Sequence, residues 1–117
     1  MCWSAVCAAG LGQIFRLTPG SDTIELFFES RSKRQFDYGD NLTVAPNGHL
    51  IVCEDQYSTI VHNHLRGITP EGEAYTLGSL HAQSELAGAC FSPDGKVLFV
   101  NLFSPAKTLA ITGPWAA

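Results

Sequence analysis

Asp40 beside Asn41, the acidic pair Glu54–Asp55, Glu85 and four histidines are the side chains of this 117-residue chain best suited to holding a metal. Asp40 and Asn41 set a carboxylate and an amide oxygen side by side. That donor pair suits Ca²⁺, a hard cation that takes about six to eight oxygen ligands. The same two residues can instead form an Asx turn that opens a strand. Glu54 and Asp55 end an apolar run. Adjacent residues of a strand face opposite sides, so one of them is expected to reach any common site, Glu54 before Asp55. Glu85 stands just ahead of another strand-like run, Ala89–Ser92. His62 and His64 alternate, and such a pair binds a transition metal when both rings share a strand face. No third ligand accompanies them in sequence, and a solvated loop is the competing reading; His49 and His81 stand alone. Cys2, Cys7, Cys53 and Cys90 match no zinc spacing. Cys53 and Cys90 fall within apolar runs and are expected to be buried free thiols. No serine sits in a Gly-x-Ser-x-Gly frame, so no nucleophile is identified.

The elements that must position these groups are strands. Ala45-Pro46-Asn47-Gly48, Thr69-Pro70-Glu71-Gly72 and Ser92-Pro93-Asp94-Gly95 repeat one turn, with a looser copy at Thr18-Pro19-Gly20. Proline presets φ and glycine accepts positive φ, so each copy predicts a hairpin. Pro46, Pro70 and Pro93 lie 24 and 23 residues apart, so two turns make a unit of 47 residues. Shifting residues 42–55 by that unit lays LTVAPNGHLIVCED on ACFSPDGKVLFVNL, residues 89–102. A period of roughly 40–50 residues is that of a four-stranded propeller blade. Helical periodicity is nearly absent. The predicted class is all-β: one partial β-propeller domain over 1–117, holding about two blades of four-stranded antiparallel sheet. Residues 14–29 are expected to be the outer half of one blade, 42–77 a complete blade, and 89–112 an incomplete final blade. The run Leu50–Cys53 is apolar throughout, as expected of a strand covered on both faces. Two polar loops, 31–40 and 56–64, are long enough to carry function.

Bulk composition narrows the function classes. A hydrophobic content of 45% belongs to a globular chain, and a net charge of −4 with no extended basic run argues against a nucleic-acid partner. The only basic cluster, Arg31–Arg34, reads as a solvated loop. No apolar stretch approaches the roughly 20 residues of a membrane-spanning helix. The opening MCWSAVCAAG lacks the basic and apolar regions of a signal peptide.

Several segments together resemble the C-terminal part of the PhoX-type alkaline phosphatase family. They are LGQIFRL (11–17), DNLTVAPNGHLIVCED (40–55), LRGITPEGEAY (65–75), SELAGACFSPDGKVLFVNL (84–102) and LAITGPW (109–115). SELAGACFSPDG and ITGPW are the specific ones; many propellers carry a PDG turn. The resemblance implies a six-bladed propeller, secreted or periplasmic and exported by the twin-arginine route. It also implies a monomer that hydrolyses phosphate monoesters with an iron–calcium cofactor at the channel mouth. It places Asp40, Asn41, Glu54 and Glu85 among the metal ligands, Glu85 on calcium or iron. The family's Pro-Asp-Asn reads Gly39-Asp40-Asn41 here, and Gln56 replaces the glycine of Cys-Glu-Asp-Gly. A Gln-His-Pro-Gly stretch of longer members reads Phe103-Ser104-Pro105-Ala106, so that Gln and His do not carry over.

The likeness extends over only the last third or so of such a protein, so the chain is expected to be a section that is inactive alone. Two rival readings accompany this one. A calcium-dependent lactonase on a similar propeller also uses Asn, Asp and Glu at inner strand ends, but needs no iron. A non-catalytic propeller fragment would bind no metal.

Overall fold

The computed structural model describes residues 2–6, 11–56 and 62–115. Ten strands and no helix occur among them: β1 (Cys2–Val6), β2 (Gln13–Thr18), β3 (Thr23–Glu29), β4 (Gly39–Val44), β5 (Leu50–Glu54), β6 (His64–Ile68), β7 (Ala74–Ser79), β8 (Leu86–Phe91), β9 (Val97–Leu102) and β10 (Lys107–Thr112). The repeated proline–glycine turns join them as the spacing predicts. Gly48, Gly72 and Gly95 each donate a backbone hydrogen bond to the residue before the proline, at 2.9, 2.9 and 2.8 Å. Their φ values are 86°, 88° and 70°, where a side chain would be strained. Asp94 adds a local tie: its Oδ1 accepts from Ser92 Oγ at 2.6 Å and from the Lys96 N–H at 3.1 Å.

The strands form three antiparallel meanders, β1-β2-β3, β4-β5-β6-β7 and β8-β9-β10. They do not close into a ring. The fold is therefore all-β, a partial propeller of successive sheets packed face to face. β4, the first strand of the central sheet, lies against β1 on one side and β8 on the other. The inner strands β5 and β6 of the central sheet are buried on both faces, and their side chains divide by parity. Leu50, Val52 and Ile68 face the first sheet with Ile14, Phe28 and Phe36. Ile51, Cys53 and Leu65 face the third with Leu86, Leu98 and Val100. This two-sided burial is why residues 50–53 carry no polar alternation. Each fully buried aliphatic side chain contributes about 1.5–3 kcal/mol.

Three strand features depart from expectation. The opening residues form β1, which pairs with β2 from Cys2↔Leu17 to Val6↔Gln13 and gives the first sheet a third strand. β4 starts at Gly39 rather than Leu42, so Asp40 and Asn41 lie inside it. A bulge there breaks the alternation, and the apolar pattern resumes only at Leu42. Cys53 is buried as expected, whereas Cys90 is exposed. Cys90 pairs with Phe99, on the face of the third sheet opposite the buried Leu98 and Val100. An apolar run indicates two covered faces, and this end sheet has one.

Candidate metal centre at the strand starts

In β4, Gly39 pairs with Glu54 and Leu42 with Val52, so Asp40 and Asn41 together oppose the single residue Cys53. β8 repeats the device: Leu86 pairs with Leu102 and Ala89 with Val100, leaving Ala87 and Gly88 opposite Asn101. These are two-against-one β-bulges, which bend a strand and re-aim its side chains. They sit 47 residues apart, at equivalent points of the repeat. Gly88 has φ 125°, which a β-carbon would strain. In β4 the same position is filled by Asn41, which is exposed beside exposed Asp40. Asn41 Nδ2 donates to Asp40 Oδ2 at 3.3 Å.

Cys53 joins the two bulges. Its thiol is hydrogen-bonded by the Gly88 backbone and feels the Asp40 carboxylate. Burial foremost, with Asp40 adding to it, pushes the thiol up to about 11 against the opposing Gly88 bond. At neutral pH it is therefore an uncharged thiol wedged between two strand starts. Glu85 lies three residues before Gly88, half-buried at the entry to β8. Its carbonyl accepts from the Phe103 N–H at 3.1 Å. Ser84 beside it is held by Asn63 Nδ2 at 2.9 Å.

Glu54 points to the other side of the central sheet. It is 1% exposed, and both oxygens accept from protein donors. Oε1 takes the Asp37 N–H at 2.9 Å and Arg66 Nε at 2.7 Å. Oε2 takes the His64 N–H at 2.8 Å and lies 2.8 Å from His64 Nδ1. Arg66 is itself 3% exposed; its remaining nitrogens reach Thr76 Oγ1 and the Lys33 carbonyl. Glu54 is thus the hub tying β5 to β6 and to the 31–40 loop. Asp55 anchors the same loop, its N–H donating to the Tyr38 carbonyl at 2.8 Å.

The Asp37 carboxylate in this neighbourhood is incompletely satisfied. Asp37 is 2% exposed, and its Oδ2 accepts from Gln56 Nε2 at 3.2 Å. Its Oδ1 is buried without a hydrogen-bond partner. Such an atom is costly unless a cation, a proton or a water meets it.

The structure therefore brings Asp40, Asn41 and the start of β8 after Glu85 to one locality around Cys53, and sets Glu54 apart in an ion-paired layer. Among the described residues, no three of His, Cys, Asp and Glu converge as a ready metal site. Asp37 and Arg66 are the functional-looking residues that pattern reading passed over, and His64, read there as half of a His-x-His pair, turns instead to Glu54. A charged Arg66 within the apolar β6 run was the available signal, because a buried charge requires a partner. Residues 57–61 of the second polar loop lie outside the described residues.

The sequence model of the family described as "Alkaline phosphatase PhoX" matches residues 4–106. The match begins within β1, ahead of the LGQIFRL segment, and stops short of the terminal ITGPW. No curated protein and no solved structure matches the chain. With the family model spanning most of its length, the chain belongs to the PhoX alkaline phosphatase family.

Proposed function

We propose that this chain supplies oxygen ligands for Ca²⁺ in a metal-dependent phosphomonoesterase, from the bulged starts of β4 and β8. The repeated bulge carries the reading: β4 and β8 bend at equivalent points and meet at Cys53, and the β4 bulge bears Asp40 and Asn41. Asp40, Asn41 and Glu85 are the assigned ligands. Their carboxylate and amide oxygens fit a hard cation. Glu54, with both oxygens engaged, is assigned a positioning part. It orients the Asp37 backbone and holds the 31–40 loop against β6.

Ca²⁺ in such a site supplies charge neutralisation for the oxygens of a phosphoryl group. The chain's own part is to hold carboxylates at fixed places on rigid strands and to keep Cys53 protonated beside them. Iron, the other metal implied by the family, would draw its ligands from beyond these residues. Among the described residues no three of His, Cys, Asp and Glu come together. The substrate class is a phosphate monoester, not nucleic acid, and the complete protein is assigned as a periplasmic or secreted monomer. Exposed oxygen sites that fill at about 10⁻⁴–10⁻³ M Ca²⁺ are usual for modules outside the cytosol.

Calorimetric titration with CaCl₂ tests this, together with p-nitrophenyl phosphate hydrolysis. The parent chain should bind Ca²⁺ and release no nitrophenol, and Asp40→Asn and Glu85→Gln should each weaken binding. Equal binding by parent and variants would remove the ligand assignment.

A further inference from the structure

The His62-x-His64 pattern separates in the fold. His64 turns to Glu54, and His62 meets His81 instead, with ring centroids 4.9 Å apart and planes at 40°. The encounter is built into the backbone. His64 pairs with Ser79 at the end of the β6–β7 ladder, and the Leu80 N–H donates to the Asn63 carbonyl at 2.8 Å. Continuing that register by one step puts His62 opposite His81. Directly opposed residues of an antiparallel pair stand with β-carbons about 4.5–5.5 Å apart on one side of the ribbon. Asn63, at the base, is 2% exposed. Its side chain is bonded to both backbone groups of Gln56 and to the Ser84 carbonyl. The two histidines are exposed, one step beyond the fixed Asn63 at the open end of the β6–β7 ladder.

We propose that His62 and His81 form a bidentate site for a divalent transition metal, with Zn²⁺ the probe ion and water completing the coordination. Imidazole nitrogen suits such ions. With Zn–N bonds of about 2.0–2.1 Å, each ring centre lies about 3.2 Å from the ion, and a tetrahedral angle sets the two centres about 5 Å apart. The observed separation matches that spacing, and the 40° tilt departs from a parallel stack. The site uses none of the carboxylates assigned to Ca²⁺, so it stands or falls separately from the phosphatase reading.

The test is a calorimetric Zn²⁺ titration of the full chain, without a histidine tag and with its accessible thiols alkylated. The parent should bind Zn²⁺ with stoichiometry near one. His62→Ala and His81→Ala should each bind more weakly by at least the roughly 10–100-fold that loss of a mere supporting partner costs a metal site. His49→Ala, whose ring is engaged with Tyr75, should titrate like the parent. Circular dichroism confirms that each variant keeps its strands, and His81→Gln serves as a milder second variant. Absence of Zn²⁺ binding in the parent overturns the proposal. So does a His62→Ala or His81→Ala curve that overlays the parent's, or a His49→Ala loss of equal size.

Discussion

Glu54 and Cys53 are neighbours in sequence with opposite tasks, and each makes a prediction. Removing one partner of a buried ion pair strands the other charge, at a cost of about 3–5 kcal/mol. Glu54→Ala should destabilise by that order in urea unfolding, because Arg66 stays buried among Thr76 and Lys33 groups. The double variant Glu54→Leu/Arg66→Met should recover much of it. Equal destabilisation of single and double variants would contradict the pairing. Cys53 gives a pH dependence. Its folded-state pKa is raised from 9.0 to about 11, so the protonated thiol is the form the fold favours. The associated stability, about 2–3 kcal/mol, is fully present below pH 9 and is lost as pH rises through 11. Unfolding midpoints across pH 8–11 should fall for the parent and fall less for Cys53→Ala. Thiol labelling at pH 8 should modify Cys90 and spare Cys53. The acidic character of residues 54 and 55 was legible in sequence. Which partners would saturate Glu54 was not, because Asp37, His64 and Arg66 come from 10 to 17 residues away.

At the scale of elements, the proline–glycine turns were the most readable feature, because their chemistry is local. Gly48→Ala should cost about 1 kcal/mol or more, since φ 86° must be kept to close the β4–β5 hairpin. A thermal midpoint unchanged by that substitution would mean the turn relaxes freely. The bulges were hidden for the opposite reason. A bulge is defined by the partner strand's register, and Asp40–Asn41 looked like residues ahead of a strand because the alternation that marks β4 begins after them. β1 was missed because MCWSAV lacks clear alternation; its pairing with β2 identifies it. His62 and His81 illustrate the same limit. Their meeting follows from the β6–β7 register, which shifts between Leu65 and Arg66 and so cannot be counted along the chain.

Over the whole molecule, the 47-residue repeat gave the architecture and left its ends open. The first sheet presents Leu17, Ile24 and Leu26, at 37%, 68% and 50% exposure, on the face opposite its buried Ile14. The third presents Phe99 and Cys90. Contiguous exposed apolar surface favours association. Ile24→Lys with Leu26→Glu should therefore raise the concentration at which the chain stays monomeric in light scattering, without loss of strand signal. Unchanged self-association would show that this face is not what drives it. The inner strands of the central sheet, covered on both sides, should be the most protected in hydrogen exchange, β5 above all. Crystals grown with Tb³⁺ in place of Ca²⁺ examine the proposed centre most directly, through an anomalous difference map. The expected result is a peak within coordination distance of Asp40 and Glu85 oxygens, between the starts of β4 and β8. A map whose peaks lie elsewhere, with those two carboxylates bare, would contradict the assignment of this chain as a contributor of metal ligands.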